Sequence, residues 1–245
     1  MSLEINQVVA VVLAGGFGTR IKHLLKDVPK PMAEVAGKPF VEWVVRYLAK
    51  QGIRRVILSN GHLSEAVESH FHGQPVDGVN VTCVEETQPL GTGGGFLNAV
   101  GKTVIRPPAW LVLNGDSLVF ANLNEAARSL DDPAISGVII GRPVPDASRY
   151  GTLAVDQGGD LLRFEEKRSG SGVINGGVYL LRNSLLEAFP GQLPLSLERD
   201  VFPFLLSRGF RLRVATTEAP FLDIGTPETL PLADAFIREN ASQFA

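Results

Sequence analysis

The chain has 245 residues, 44% of them hydrophobic, and a formal net charge of −3. This length and apolar content are enough for one large core, so we expect a single domain over residues 1–245. The weakly negative charge argues against a broad cationic surface for nucleic acid or an anionic membrane. No apolar window is long enough to span a bilayer, no leader-like segment opens the chain, and the lone Cys83 fits a reducing compartment. We therefore expect a cytoplasmic protein with neither nucleic acid nor a membrane as partner.

Apolar strands and amphipathic helices alternate through the first half of the chain. This alternation predicts an α/β fold with a Rossmann-like, mostly parallel sheet flanked by helices on both faces. Ligands of such sheets bind at the carboxyl ends of the strands. The predicted strands are residues 8–13, 56–58, 79–84 and 110–113, and the predicted helices are residues 40–51, 64–71 and 94–100.

The second half of the chain is less regular and richer in strands. A QGGD turn at residues 157–160 predicts a hairpin that leads into a strand at residues 161–165. A closing helix is predicted at residues 228–239, with Pro227 at its start. The remaining predicted strands are residues 135–141, 151–155, 176–181 and 212–216.

A glycine-rich loop follows the first predicted strand. Gly15, Gly16 and Gly18 remove side chains where a backbone must approach a ligand closely. Thr19 and Arg20 then add a hydroxyl and a cationic fork suited to phosphate oxygens. The spacing fits neither a Walker A loop nor the dinucleotide fingerprint. A strand that opens into such a loop predicts a nucleotide site, and the alternative is a glycine-rich turn without a ligand.

Lys30 stands between two prolines shortly after this loop. Proline fixes φ, so Pro29 and Pro31 stiffen the backbone that carries the ammonium group. A solvated surface lysine would not need such framing. The fixed cation therefore favours the nucleotide site over the turn without a ligand.

The loop GGFGTR, followed by PKP, resembles the signature of the sugar-1-phosphate nucleotidyltransferases. The resemblance implies the nucleotidyltransferase fold and a reaction that converts a nucleoside triphosphate and a sugar 1-phosphate into a nucleotide sugar and pyrophosphate. Because two polyanions must meet, such an enzyme needs cations and alignment more than a general base. Six further motifs follow in the order usual for the family, at residues 88–94, 114–116, 150–151, 165–167, 175–179 and 223–227.

Asp116 and Asp223 are the metal ligands that this resemblance implies. Each follows an apolar, strand-like run, and Mg²⁺ is commonly held by one or two carboxylates with phosphates and waters. We therefore expect Mg²⁺ as the cofactor. The alternatives are a turn or N-cap aspartate at position 116 and an aspartate that starts the last helix at position 223.

Three basic residues are expected to be catalytic. Arg20 would grip the β- and γ-phosphates and stabilise the leaving pyrophosphate. Lys30 would lie nearer the α-phosphate, where charge builds up in the transition state. By resemblance, Lys167 would bind the phosphate of the sugar substrate, and the alternative is a solvated lysine in the charged run EEKR.

Sugar recognition would fall to Gly151, Glu166 and Asn175, which offer a backbone amide and two side chains for sugar hydroxyls. Asn175, like Tyr150 and Tyr179, could instead be a packing or strand-end residue.

Base recognition would come from the glycine loop and the segment after the third predicted strand. Gln88 is the candidate for a base edge, and a carboxylate at Glu85 or Glu86 could accept the adjacent N1 and N2 donors of guanine. The predicted nucleotide-binding set is Leu13, Gly15, Gly16, Gly18, Thr19, Gln88 and Gly93.

Within the family, KDVPKPM together with RYGT, FEEK and INGGVYLL is most similar to members that transfer GMP from GTP to D-glycero-α-D-manno-heptose 1-phosphate for bacterial surface polysaccharides. Gln88 departs from the glutamate frequent in that branch. The alternatives are a mannose 1-phosphate guanylyltransferase and, next, a glucose 1-phosphate thymidylyl- or uridylyltransferase. A non-catalytic sugar-nucleotide sensor is the alternative of another class, and retention of all five charged candidates argues against it. The dimers and tetramers of the family leave a homo-oligomer open.

Overall fold

The computed structural model describes residues 2–16, 21, 23, 25, 28–61, 64–73, 75–165 and 169–244. The strands are β1 (Val9–Ala14), β2 (Glu34–Val35), β3 (Lys38–Pro39), β4 (Arg55–Asn60), β5 (Asn80–Glu85), β6 (Ala109–Asn114), β7 (Ser117–Val119), β8 (Ile135–Val144), β9 (Thr152–Val155), β10 (Leu161–Glu165), β11 (Gly172–Arg182), β12 (Arg211–Thr216) and β13 (Phe221–Asp223). The α-helices are α1 (Phe40–Lys50), α2 (Ser64–Phe71), α3 (Gly91–Gly101), α4 (Leu123–Arg128), α5 (Phe202–Ser207) and α6 (Ala233–Glu239). A π-helical segment, Leu197–Val201, leads into α5, and 3-10 turns lie at Ile5–Gln7, Lys30–Met32, Ser129–Asp131, Asn183–Ala188, Leu230–Leu232 and Ala241–Gln243.

A nine-stranded sheet built from these residues forms the centre of the fold. Strands β6, β1, β4 and β5 lie side by side in that order and are parallel. Strand β11 pairs antiparallel with β6 and joins this parallel half to β8, β9, β10 and β12. The predicted α/β fold, a mostly parallel sheet flanked by helices, is confirmed, and its antiparallel pairs are concentrated in the second half of the chain.

Side chains of β1 alternate between two apolar clusters, one on each face of the sheet. Ala10 and Val12 pack in the cluster that contains α1 and α2, whereas Val9 and Val11 pack in the cluster that contains α3 and α5. Because both faces are covered, every position of the strand is apolar. Burial on both faces holds the carboxyl end of the strand in one place.

The carboxyl ends of the four parallel strands meet at one edge of the sheet. Strand β1 ends before Gly15, β6 before Gly115 and Asp116, and β5 before Glu86. The N–H of Gly115 donates to the carbonyl of Leu13 at 2.9 Å, which ties the ends of β6 and β1 together. Gly15, Glu86, Gly115 and Asp116 therefore lie at the edge where such sheets bind ligands.

The last helix differs from the prediction. Helix α6 begins at Ala233 and not at residue 228, because Pro231 lacks an N–H and stands in a 3-10 turn ahead of it. The predicted start is instead part of a turn closed by hydrogen bonds between Thr226 and Thr229. Helix α3 begins at Gly91 rather than at residue 94, and β2, β3, β7, α4 and α5 had no predicted counterpart. None of the helices in the described part of the chain is long and apolar enough to cross a bilayer.

Candidate functional site

A cavity of about 380 Å³ opens at the carboxyl ends of β1 and β6. Its wall includes three predicted nucleotide-binding residues, Leu13, Gly15 and Gly16, and two predicted charged residues, Lys30 and Asp116. Concave sites at this edge are where parallel sheets bind small molecules. The structure therefore brings these five predicted site residues together in one cavity.

Five predicted site residues lie outside the described residues, and their roles stay predictions. They are Gly18, Thr19, Arg20, Glu166 and Lys167.

Asp116 and Asp223 lie next to each other although they come from distant parts of the chain. Strand β13 pairs antiparallel with β7, which places Asp223 opposite Ser117. The N–H of Ile224 donates to the carbonyl of Asp116 at 2.9 Å. Burial raises the pKa of Asp223, and the negative charge of Asp116 raises it further. The two predicted metal ligands thus form one acidic pair, and within it the ionisation of Asp223 is opposed by burial and by the charge of Asp116.

Lys30 contacts this acidic pair. Its Nζ lies 2.6 Å from Oδ2 of Asp116, and its side chain is only 11% exposed. Lys30 opens a 3-10 turn whose next residue, Pro31, is buried, so the backbone under the ammonium group is held firmly. A Cβ on Gly225 would lie 3.0 Å from this Nζ and 2.6 Å from Oδ1 of Asp223. The loop after β13 therefore closes over both charged groups and needs a glycine there.

Glu86 lines the cavity, whereas Gln88 is exposed and is not part of its wall. The hydroxyl of Ser59 donates to Oε1 of Glu86 at 2.8 Å. A Cβ on Gly15, or on Gly95, would lie 2.6 Å from the same oxygen, so glycine at these positions makes room for the carboxylate. Burial raises the pKa of Glu86. The sequence signal for Glu86 is its place directly after a parallel strand, at the ligand-binding edge.

Thr92 lines the cavity, and the neighbouring Gly93 does not. The N–H of Gly93 donates to the carbonyl of Leu195 at 2.7 Å, which anchors the start of α3 to a distant segment. The hydroxyl of Thr92 donates to Oε2 of Glu198 at 3.0 Å. Sequence reasoning missed Thr92 because its partner is 106 residues away and no local pattern marks the contact.

Two predicted sugar-binding residues are adjacent, since the N–H of Asn175 donates to the carbonyl of Gly151 at 3.2 Å. Strand β11 bulges between Asn175 and Tyr179. In the bulge Gly177 has φ of 70°, which favours glycine, and its N–H donates to Oδ1 of Asn175 at 3.0 Å. The Nδ2 of Asn175 donates to the hydroxyl of Tyr179 at 2.7 Å. Beyond these contacts the amide retains one N–H and one oxygen lone pair.

The loop that precedes Gly151 contacts the segment that carries the acidic pair. Nη2 of Arg149 donates to Oγ1 of Thr226 at 3.3 Å. The ring of Tyr150 packs edge-on against the ring of Phe221, with 5.7 Å between the two ring centroids. Burial raises the pKa of Tyr150, and the charge of Asp223 raises it further. The predicted sugar side and the predicted metal pair therefore adjoin.

The chain is similar to known proteins over almost its whole length. The profile of the nucleotidyl transferase family matches residues 9–240. The chain is 36% identical to the D-glycero-α-D-manno-heptose 1-phosphate guanylyltransferase of Campylobacter jejuni, over 89% of this chain and 95% of the relative. It is 35% identical to the mannose-1-phosphate guanylyltransferase of Mycobacterium tuberculosis, over 91% of this chain and 62% of that relative.

Solved structures show the same likeness. The crystal structure of HddC from Yersinia pseudotuberculosis matches with a TM-score of 0.82 at 33% identity, over 93% of this chain and 98% of that protein. A second HddC structure, complexed with GMP-PN, matches with a TM-score of 0.79 at 34% identity and the same coverage. With the profile match over residues 9–240, these findings show that the chain belongs to the nucleotidyl transferase family of enzymes.

Proposed function

We propose that the protein transfers GMP from GTP to D-glycero-α-D-manno-heptose 1-phosphate, with release of pyrophosphate, for bacterial surface polysaccharide synthesis. The observation that carries the proposal is the cavity in which Lys30 and Asp116 share a wall with Glu86, so that phosphate chemistry and a base-reading carboxylate meet in one site. The likeness to a guanylyltransferase of this heptose, over 95% of that relative, supports the choice of substrates.

Asp116 and Asp223 would hold Mg²⁺. Two adjacent carboxylates suit a divalent cation, and Mg²⁺ typically takes one or two carboxylates with phosphates and waters. Across the described ranges no group of three or more acidic, histidine or cysteine side chains could hold a metal ion, so the substrates' phosphates would complete the shell. Bound Mg²⁺ would neutralise phosphate charge.

The remaining charged residues would align and neutralise two polyanions. A phosphate oxygen of the sugar attacks the α-phosphorus of GTP in line, and the bond to pyrophosphate breaks. Lys30, held at Asp116, would balance the charge that builds on the α-phosphate. Arg20 is proposed for the leaving pyrophosphate and Lys167 for the phosphate of the sugar. The proposed contacts to sugar hydroxyls are Gly151, Glu166 and Asn175.

Glu86 would read the base. Guanine presents two adjacent N–H donors, at N1 and N2, and an ionised carboxylate accepts both. Uracil and thymine offer one such donor and adenine offers no adjacent pair, so a carboxylate favours GTP. The exposed position of Gln88 makes Glu86 the stronger candidate for this contact.

The first experiment is pyrophosphate release with Mg²⁺ over four nucleoside triphosphates and several sugar 1-phosphates, including the manno-heptose. We expect strong turnover confined to GTP with the heptose phosphate. Turnover of GTP with mannose 1-phosphate would instead favour a mannose-1-phosphate guanylyltransferase. Turnover with UTP or dTTP would contradict the base assignment. Absence of turnover with every pair, from protein that binds nucleotide, would favour a sugar-nucleotide sensor.

The Glu86→Gln variant tests the base contact. A glutamine can accept only one of the two donors, so we expect kcat/KM for GTP to fall by about tenfold or more, the size of a lost bidentate base contact. The matched control is Glu85→Gln, since Glu85 is exposed and is not part of the cavity wall. Unchanged preference for GTP in Glu86→Gln would show that another group reads the base.

A further inference from the structure

A carboxylate outside the predicted site links the cavity wall at Thr92 to the proposed sugar side at Asn175. Glu198 lies in the π-helical segment before α5 and accepts the hydroxyl of Tyr179 on Oε1 at 2.8 Å. Its Oε2 accepts the hydroxyls of Thr92 at 3.0 Å and Ser196 at 2.9 Å. The hydroxyl of Tyr179 in turn accepts Nδ2 of Asn175 at 2.7 Å. One carboxylate therefore connects the start of α3 with the bulge of β11.

The direction of each hydrogen bond in this network follows from the chemistry of the groups. An amide Nδ2 can only donate, so Tyr179 accepts from Asn175 and must give its own proton to Glu198. The hydroxyls of Thr92, Ser196 and Tyr179 all donate to this one carboxyl group, whose two oxygens offer enough lone pairs to accept them. Burial and the charge of Glu198 raise the pKa of Tyr179 well above its ordinary value, so its hydroxyl keeps its proton at neutral pH.

The two ends of the network lie where the two substrates are proposed to bind. Thr92 is part of the cavity wall, next to Gly91. Asn175 lies beside Gly151 on the proposed sugar side. The charge of Asp116 is close enough to raise the pKa of Tyr179 as well, so the network passes near the proposed metal pair.

We propose that Glu198 is a positioning residue that holds the two substrate sides in register. It fixes Thr92 directly at the nucleotide wall, and it fixes the amide of Asn175 through Tyr179. This inference rests on the proposed function, because it takes Asn175 to be a sugar contact. Since alignment of two bound polyanions is the main catalytic device of the site, loss of the shared anchor loosens both sides.

Three variants separate the two arms of the network. Tyr179→Phe removes only the arm to Asn175, and we expect KM for the sugar 1-phosphate to rise about fivefold, the size of one lost hydrogen bond, with KM for GTP within twofold. Thr92→Val removes the other arm, together with the acceptor for the N–H of Leu197, and we expect KM for GTP to rise while KM for the sugar 1-phosphate stays within twofold. Glu198→Gln places an amide N–H against hydroxyl donors, so both KM values should rise about fivefold and kcat should fall.

The chain offers matched controls away from the cavity. Tyr47 is buried, and its hydroxyl donates to the carbonyl of Ala121 at 2.7 Å, so Tyr47→Phe also removes one buried tyrosine hydrogen bond. Glu42 is a buried carboxylate with several partners, so Glu42→Gln matches Glu198→Gln. Both controls should lower the melting temperature and leave both KM values within twofold of wild type.

The pattern of KM values decides the proposal. If Glu198→Gln and Tyr179→Phe lower the melting temperature but leave both KM values unchanged, as in the controls, the positioning role is wrong. If Glu198→Gln does not fold, Tyr179→Phe and Thr92→Val decide: opposite shifts support the proposal, and equal or absent shifts overturn it.

Failure of the proposed function gives a different result. A wild-type enzyme that uses another nucleotide and sugar refutes the proposed substrates, and the same variants are then assayed with that pair. If the wild type turns over no pair, binding of MgGTP by calorimetry decides instead. Thr92→Val and Glu198→Gln must then weaken it about fivefold while Tyr179→Phe does not; any other pattern overturns the positioning role.

Discussion

Glu42 is buried and Asp223 is half-buried, and their surroundings shift the pKa values of these two carboxylates in opposite directions. Glu42 on α1 is 6% exposed and receives Lys38 at 3.1 Å, Arg46 at 2.8 Å and His70 at 2.8 Å. Burial alone would raise the pKa of Glu42, but the hydrogen bonds from Arg46, Lys38 and His70 outweigh burial and lower it. These four residues, here called the Glu42 cluster, have no part in the cavity wall.

Asp223 has the reverse balance. Lys30 is bonded to Asp116, and burial together with the charge of Asp116 raises the pKa of Asp223 although the charges of Lys30 and Arg149 act in the opposite direction. The Glu42 cluster neutralises its own charge, whereas the acidic pair leaves negative charge for something else to neutralise. A group held in an unfavourable ionisation state in a cleft is a mark of a functional site. The difference thus separates a carboxylate whose partners stabilise its charge from the pair that we propose as metal ligands.

Removing either carboxylate of the acidic pair should have the largest effect on the enzyme. We expect Asp116→Asn and Asp223→Asn each to lower kcat by about 100-fold or more, the scale of a lost charge-stabilising group in an active site. Pyrophosphate release at saturating Mg²⁺ measures kcat. Glu42→Gln is the control, and its kcat should stay within twofold of the wild-type value. Turnover within a few-fold of wild type in either variant would contradict the metal assignment.

Removing the acid of the Glu42 cluster should affect stability and not chemistry. Glu42→Ala leaves three basic side chains without their shared partner, and we expect a loss of about 2 kcal/mol in the free energy of unfolding, less than for fully buried pairs because the partners are partly exposed. Denaturant unfolding at pH 7 measures it, with exposed Glu68→Ala on α2 as a control near zero.

The pH dependence of that loss has a definite sign. Because the pKa of Glu42 is lowered on folding, its stabilising effect is present above the ordinary carboxyl pKa, about 4.3, and is lost as the pH falls through the lowered value. The difference between Glu42→Ala and wild type should therefore shrink in acid. A difference that stays constant down to pH 3 would show that packing, and not charge, stabilises the cluster.

The smallest expected effect is on the stability of Asp223→Asn, which should be higher than that of the wild type. The asparagine keeps the acceptor for the N–H of Gly225 but carries no charge, so metal-free protein should melt about 2 °C higher at pH 7. Because the pKa of Asp223 is raised on folding, its ionisation opposes folding as the pH rises through that value. The gain should therefore vanish below about pH 4, where the wild-type carboxyl is also neutral. Equal melting at pH 7 would argue against an uncompensated pair.

Local patterns predicted much of the fold and part of the site. The apolar run of β1 and the glycines after it are contiguous, and the prolines around Lys30 act on their own neighbours, so these features could be read directly. The start of α6 was wrong because Pro231 and the turn at Thr226 compete with the helical pattern. Asn175 was predicted as a sugar contact, but its bond to Tyr179 depends on a bulge that strand periodicity does not reveal.

The sequence by itself determined the fold class, through the alternation of strands and helices, and the family, through short motifs in a fixed order; the glycine loop and the two aspartates belong to those motifs and stay predictions as site residues. Only the tertiary structure decided that β13 pairs with β7 and so brings Asp223 to Asp116, that Glu86 and not Gln88 faces the cavity, and that Glu198 joins Thr92 to Tyr179. Such contacts depend on strand pairing and helix packing between segments far apart in the chain, and short-range patterns carry no information about which of those segments will meet.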